Sequence, residues 1–396
     1  MHRGLETFDA VVVGGGPAGA TAATDLAERG RSVLLLDRAG RIKPCGGAIP
    51  PRLIEEFAIP ASLLVARARS ARIVAPSSRQ VDMPIDGGFV GMVDREVFDE
   101  WLRQRAAAAG AQRRVGKFKR FVRDADGAAV IIYQGSGQAP ERVRARAVIG
   151  ADGALSAVAQ QTICGADRIP YVFAYHEIVR SPREATADFD GSRCDVYYQG
   201  ELSPDFYGWI FPHGITTSVG VGSAQKGFAL RKAVAALRKA ANLNETETIR
   251  REGAPIPLHP LPHWDNARDV VLAGDAAGLV APASGEGIFY AMTSGRFVAN
   301  AVDEFCETKD PLALSNARRR FMRIHGGVFR ILGLMQRFWY ASDARRERFV
   351  SICRDRDVQQ LTWDAYMNKE LVRARPFTHI RILFKNIAHL AGLVAA

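Results

Sequence analysis

The chain has 396 residues, 47% of them hydrophobic and 24% charged, with a formal net charge of +11. That length suits two or three domains with a substantial core, and the composition excludes a disordered or fibrous protein. No stretch reaches the roughly 18 uninterrupted apolar residues of a membrane span, and the arginine excess comes with no nucleic-acid-binding motif, so no nucleic-acid partner is expected.

Near the N-terminus an apolar β-branched run, Ala10-Val11-Val12-Val13, predicts a strand. It leads through Gly14-Gly15-Gly16-Pro17-Ala18-Gly19 into a small-residue helix from Ala20 to Glu28. Strand, glycine turn and helix in this order make the context that a dinucleotide fingerprint requires. Gly14 makes the tight turn, Gly16 admits a pyrophosphate to the backbone, and Gly19 lets helix and strand pack closely, with the helix N-terminus facing the phosphates. A second strand, Ser32-Val33-Leu34-Leu35-Leu36, ends in Asp37, whose carboxylate can accept the ribose hydroxyls of an adenosine. An acid here favours FAD or NAD and repels the 2′-phosphate of NADPH, so NADPH as reductant docks elsewhere.

Further along, Asp126-Gly127 between apolar runs reads as a hairpin turn. Gly150-Ala151-Asp152-Gly153 after a strand reads either as a plain turn or as part of a nucleotide site. Residues 165–260 hold short alternating runs, such as Cys194-Asp195-Val196-Tyr197-Tyr198, that predict an antiparallel sheet. A buried strand from Asp269 to Ala273 then leads into Gly274-Asp275-Ala276-Ala277 and on to Gly285-Glu286-Gly287-Ile288. A carboxylate there can grip a ribityl hydroxyl, and a helix N-terminus can face the polar edge of a flavin ring. From about 306 the pattern is helical and rich in arginine. From Pro376 onward apolar residues recur at helical spacing beside Arg381, Lys385 and His389, which suits either a terminal helix packed on its own domain or peripheral contact with an anionic membrane.

The five cysteines, Cys45, Cys164, Cys194, Cys306 and Cys353, show no Cys-x-x-Cys pairing. Neither a disulfide framework nor a metal site is indicated, and a reducing cytoplasm is the expected compartment. The first eight residues are too short and too polar for a signal peptide.

The three motifs in this order resemble the single-Rossmann flavoproteins related to aromatic hydroxylases. Two stretches narrow the resemblance to the geranylgeranyl reductases: Lys43-Pro44-Cys45-Gly46-Gly47-Ala48, and Pro204-Asp205-Phe206-Tyr207-Gly208-Trp209-Ile210-Phe211-Pro212, which matches Pro-x-x-Tyr-x-Trp-x-Phe-Pro without a gap. Residues 34–60 are especially similar to the bacteriochlorophyll branch, and archaeal lipid-reducing relatives share the two stretches. Where the hydroxylases carry His, Gln and Arg, this chain has Gly278, Glu286 and Ala159, which weakens the alternative of a flavin monooxygenase.

The resemblance implies an α/β (α+β) fold, with a Rossmann-type FAD-binding domain interleaved with an antiparallel β-sheet substrate domain, plus a helical C-terminal region. The expected boundaries are residues 1–70, 92–160 and 265–305 for FAD, 71–91 and 161–264 for substrate, and 306–396 for the helices. It further implies an NADPH-using enzyme that saturates a geranylgeranyl group stepwise to phytyl, on a prenylated pigment or a prenyl diphosphate, peripheral at the photosynthetic membrane. The implied cofactor-binding residues are Gly14, Gly16, Pro17, Ala18, Gly19, Asp37, Arg38, Gly46, Gly47, Arg95, Asp152, Gly153, Gly274, Asp275, Gly285, Gly287 and Ile288. Cys45, which relatives place near the flavin, is implied either to donate the proton or to shape the pocket. Tyr207, Trp209 and Phe211 alternate and so share one strand face, which would line the prenyl chain.

Overall fold

The computed structural model describes residues 5–38, 40, 42–186 and 188–369. The described chain divides into two compact units. The first holds residues up to Lys43, Arg95–Tyr171 and Pro255–Phe329, and the second holds Pro44–Asp94, Val172–Ala254 and the residues from Arg330 onward.

The first unit is built on a seven-stranded sheet of β1 (Thr7–Val13), β2 (Val33–Asp37), β8 (Gln112–Val115), β9 (Lys117–Arg123), β10 (Ala129–Gln134), β11 (Glu141–Gly150) and β17 (Val270–Leu272), labels running in chain order through both units. Its order is β8-β2-β1-β11-β10-β9, with β17 also on β11. Pairs among β8, β2, β1, β11 and β17 are parallel, whereas β9, β10 and β11 form antiparallel pairs. Parallel strands are covered on both faces, which is why Val11, Val12, Leu34 and Leu35 form unbroken apolar runs with no exposed surface. The turn between β9 and β10 contains Asp126-Gly127, with Gly127 in the left-handed region that the turn requires.

Helices α1 (Pro17–Glu28), α3 (Arg95–Ala108), α4 (Ala157–Thr162) and α6 (Ile288–Thr308) flank this sheet. The backbones of α1 and α6 approach closely: a Cβ on Gly295 of α6 would collide with the carbonyl of Ala18 in α1.

The second unit holds a seven-stranded sheet in the order β16-β12-β15-β14-β13-β5-β6 and a three-stranded sheet in the order β3-β7-β4. The larger sheet comprises β5 (Ser70–Val74), β6 (Gln80–Pro84), β12 (Tyr171–Arg180), β13 (Arg193–Tyr197), β14 (Gly208–His213), β15 (Thr216–Ser223) and β16 (Thr248–Pro257). The smaller comprises β3 (Ala48–Ile49), β4 (Leu64–Ala68) and β7 (Val90–Val93). One face of the larger sheet, with Ile210, Val219 and Val221, packs against Val234 and Leu237 of α5 (Leu230–Ala240). Strand alternation sends Trp209, Phe211 and Ser218 to the opposite face. Helices α2 (Pro51–Glu56), α8 (Asp343–Ile352) and α9 (Arg356–Asn368) belong to this unit, and the unit boundary falls within α7 (Ser315–Trp339).

These units differ from the expected boundaries: residues 161–171 and 255–264, read as substrate domain, group with the first unit. Residues 44–70, read as part of the nucleotide layer, group with the second unit because β3 and β4 pair with β7. Residues 306–396, read as one helical region, are divided near Phe329. The apolar repeat beyond Pro376 lies outside the described residues.

Because Gly295 meets backbone rather than a flexible side chain, Gly295→Ala must push α6 off α1. The expected cost is about 1–3 kcal/mol, read as a lowered midpoint in chemical denaturation.

Candidate functional site

In the first unit the parallel register brings the three glycine motifs to one edge. Val13 is paired with Gly150, and Gly150 with Leu272, so the loops after β1, β11 and β17 leave the sheet together at its C-terminal end, where doubly wound sheets bind ligands. The loops are in contact. A Cβ on Gly14 (φ +108°) would collide with the Ala151 carbonyl, and one on Gly274 would stand 2.8 Å from Cβ of Ala18. A Cβ on Gly16, by contrast, would meet no atom within 4 Å, and α1 begins at Pro17 with no side chain capping its N-terminus. Unclaimed helix N–H groups beside open space suit a pyrophosphate.

Asp37 ends β2, and Arg38 follows it exposed. Arg103 of α3 donates to the Asp37 carboxylate (3.1 Å) and to the Gly15 carbonyl (3.3 Å), fixing the acid against the glycine turn. The sequence reading missed Arg103. It lies four residues beyond Asp99 and eight beyond Arg95, a helical repeat that could have flagged it. Arg95 is buried and makes a bidentate pair with Asp99 at 2.8 and 2.7 Å.

Asp152 accepts from the Ser156 hydroxyl and from the N–H groups of Ala157 (2.7 Å) and Val158 (3.2 Å), so it caps α4. Burial pushes its carboxyl above the usual range, opposed by those hydrogen bonds. The adjacent Gly153 is left-handed. Asp275 is buried and ion-paired with Lys43, a second residue the sequence reading did not single out. Gly285 and Gly287 lead into α6 at Ile288, where the carboxylate of Glu286 accepts from the Phe289 N–H (2.9 Å). Part of this helix terminus is therefore satisfied by the chain's own acid.

The second unit brings the two family-like stretches together. Cys45 is half-buried, and the Gly47 N–H donates to its sulfur at 3.4 Å. The Gly47 carbonyl accepts from Val93 (2.9 Å). A Cβ on Gly46 would stand 2.9 Å from the Phe211 ring, and one on Gly47 (φ +70°) would stand 2.6 Å from Nε2 of His213. The Cys45-Gly46-Gly47 loop therefore lies on β14. His213 Nδ1–H donates to the Phe211 carbonyl (3.1 Å), and burial pushes the imidazole below its usual range. His213 was missed by the sequence reading, although it continues the alternation of Trp209 and Phe211.

Tyr207 and Trp209 are buried and Phe211 is partly so. Their ring centroids stand 6.1 and 6.3 Å apart in sequence, forming one row. The row is braced from outside its strand. Arg346 of α8 donates to the Pro204 carbonyl, Asp343 accepts from the Gly200 N–H (2.9 Å), and Gln336 donates to the Asp205 carbonyl (3.4 Å). Trp363, Tyr366 and Met367 of α9 share the apolar cluster that holds Phe211.

Beside Asp37, Glu100 accepts from both Arg113 nitrogens at 2.7 Å and from Arg103 at 3.0 Å, and these hold its carboxyl down to about 2 from 4.5. A carboxyl depressed in the folded state contributes stability above its unfolded pKa, and that contribution is lost as pH falls toward the folded one. Glu100→Gln is therefore expected to flatten the acid limb of the stability curve between about pH 4.5 and 2, measured by denaturation midpoints across that range.

Comparison with known proteins places these features. Residues 12–53 match an NAD(P)-binding Rossmann-like domain, 60–206 an FAD binding domain, and 222–378 the lycopene cyclase protein family. The geranylgeranyl diphosphate reductase of Rhodobacter capsulatus is 55% identical over 98% of both chains. That of Synechocystis is 34% identical over 96% of this chain and 97% of the relative. A digeranylgeranylglycerophospholipid reductase from Methanoculleus marisnigri is 32% identical over 75% of this chain and 77% of its own. Among solved structures, a geranylgeranyl bacteriochlorophyll reductase-like protein from Thermoplasma acidophilum shares the fold with a TM-score of 0.80 at 23% identity, covering 95% of this chain and all of that one. The dinucleotide cradle, the acid at Asp37 and the buried acid at Asp275 fit FAD, and with those relatives the chain belongs to the geranylgeranyl diphosphate reductase family of FAD-dependent oxidoreductases.

Proposed function

We propose that this enzyme saturates double bonds of a geranylgeranyl group stepwise to phytyl, using FAD and electrons from NADPH, on geranylgeranyl diphosphate or on a geranylgeranylated bacteriochlorophyll. The observation that carries the reading is the packing of the Cys45-Gly46-Gly47 loop on the Tyr207-Trp209-Phe211 strand, which joins a thiol to an aromatic row inside one unit.

Bound FAD, once reduced by NADPH, would supply a hydride to one alkene carbon. The chain's own residues do the rest. Gly14, Gly16, Pro17, Ala18 and Gly19 cradle the pyrophosphate, Asp37 held by Arg103 takes the ribose hydroxyls, and Asp275 held by Lys43 takes the ribityl chain. Arg38, Arg95, Asp152, Gly153, Gly285, Gly287 and Ile288 complete the cofactor set of the first unit.

An isolated alkene has no carbonyl to spread charge, so holding the chain in place and excluding water matter more than side-chain acidity. The aromatic row offers flat apolar area for an isoprenoid chain. Cys45, two residues after Lys43 in sequence, holds the proton for the second carbon on its sulfur. The Gly47 N–H donates to that sulfur and fixes where it stands against the aromatic row.

No helix among the described residues is long and apolar enough to cross a membrane. A cytoplasmic enzyme peripheral to the photosynthetic membrane suits a greasy pigment substrate. In support, the second-unit part of α7 exposes Ile331 and Leu334 beside exposed Arg330 and Arg337, a basic and apolar pattern suited to an anionic surface.

The test is anaerobic. Reduced enzyme is mixed separately with geranylgeranyl diphosphate and geranylgeranylated bacteriochlorophyll, and flavin absorbance is followed with mass spectrometry of the tail. One flavin reoxidised for each two hydrogens gained is expected with at least one carrier. Reoxidation with neither, together with oxygen appearing in the product in air, would establish a monooxygenase instead. Cys45→Ser is expected to retain FAD and lose prenyl reduction by two orders of magnitude or more, the range of a positioned proton donor. Undiminished turnover would remove Cys45 from the chemistry.

A further inference from the structure

One polar chain crosses the apolar sheet of the second unit at right angles to its strands. It takes one residue from each of four neighbours: Glu252 on β16, His176 on β12, Ser218 on β15 and Trp209 on β14. Glu252 Oε2 lies 3.0 Å from His176 Nε2, His176 Nδ1 lies 2.9 Å from Ser218 Oγ, and Trp209 Nε1–H donates to that same oxygen at 3.1 Å. Ser218 is fully buried and His176 is 2% exposed.

The chemistry of the groups sets the direction of the bond at each end of the chain. An indole N–H can only donate, so Ser218 accepts from Trp209. A carboxylate can only accept, so Nε2–H of His176 donates to Glu252, and Nδ1 of His176 and the Ser218 hydroxyl share the hydrogen bond between them. Arg250 holds the other oxygen of Glu252 at 2.5 Å.

Backbone geometry serves the same arrangement. Gly220 of β15 stands opposite both His176 and Trp209 in the strand register. A Cβ there would collide with the indole and come within 2.6 Å of Cβ of His176. Without that Cβ the indole lies down across β15, 6.3 Å from the imidazole by ring centroids.

We infer that Glu252, His176 and Ser218 are positioning residues that lock the indole plane of Trp209, the middle ring of the aromatic row, and so set where along the row an isoprenoid chain is held. The inference rests on the proposed function, which lays that chain on the row. It assigns the three residues a role in selecting which double bond is presented, without contact with the reacting atoms.

The test joins spectroscopy to product analysis in full-length holoenzyme carrying 15N-labelled tryptophan. Trp209→Phe assigns the Trp209 indole resonance. Ser218→Ala removes the acceptor and is expected to move that resonance upfield. It should keep the flavin and lower kcat/KM for geranylgeranyl diphosphate roughly tenfold, a modest misplacement on the scale of such effects, with partly reduced chains accumulating. Ser218→Thr restores the hydroxyl and is expected to restore both readouts. Glu252→Ala, at the solvent end of the chain, should shift both in the same direction by less, and serves if Ser218→Ala does not fold. An unmoved indole resonance, or a moved one with unchanged product ratios, would overturn the inference while leaving the reductase reading intact. A wild-type enzyme that reduced neither prenyl substrate would overturn the reading and the inference with it.

Discussion

The parallel pairing of β1, β11 and β17 is the constraint on which the nucleotide site depends. With Val13 beside Gly150 and Gly150 beside Leu272, three loops must leave one sheet edge with neighbours a strand spacing apart, roughly 5 Å. Only small residues fit where those loops meet. Gly14, Gly19, Gly150 and Gly274 are therefore a packing requirement before they are a binding feature, whereas Gly16 faces open space. Binding follows, because a loop without side chains also presents its N–H groups and a helix N-terminus to whatever anion enters. The charged residues around it are held rather than loose: Asp37 by Arg103, Asp275 by Lys43, and Arg95 by Asp99. Held carboxylates keep one geometry, and a geometry set in advance costs a ligand less to use.

The second unit works by alternation. A strand sends successive side chains to opposite faces, so β14 and β15 can give Ile210, Val219 and Val221 to a helix-covered core while giving Trp209, Phe211 and Ser218 to the other side. The consequence is an aromatic face whose backbone is anchored by an ordinary hydrophobic core. Arg346, Asp343 and Gln336 hold the approach to that strand from the C-terminal helices. Tyr198 and Tyr340 meet there as well, with hydroxyls 3.2 Å apart, and burial raises both phenols.

What was legible in the sequence was local. The glycine turns, the strand-ending acid and the alternating aromatics are coded by neighbours in the chain, and their elements form as read. The residues that hold those features were not legible, because their partners are remote. His176 is 42 residues from Ser218 and 76 from Glu252, and Arg103 is 66 residues from Asp37. No periodicity joins such positions to their partners; sheet order joins His176 to Ser218 and Glu252, and the packing of α3 beside β2 joins Arg103 to Asp37. The boundary near residue 70 moved for a related reason. Residues 44–70 read as more of the nucleotide layer because they follow it directly, yet β3 and β4 find their partner in β7, beyond an intervening hairpin.

A polar chain through an apolar sheet needs a physical reason, since burying hydroxyl, imidazole and carboxylate costs more than burying aliphatic groups of the same size. Net gain per hydrogen bond is only about 1 kcal/mol, whereas one orphaned partner costs about 1–3 kcal/mol. Such a chain is therefore stable complete and unfavourable in any part, which gives it an all-or-none character that hydrophobic contact lacks. Apolar packing is non-directional and sets how close two rings come without setting how they turn. A hydrogen bond to the indole nitrogen does set the turn. The Tyr207-Trp209-Phe211 row would be just as apolar without Ser218, but its middle ring would lose the one directional contact that fixes its indole nitrogen.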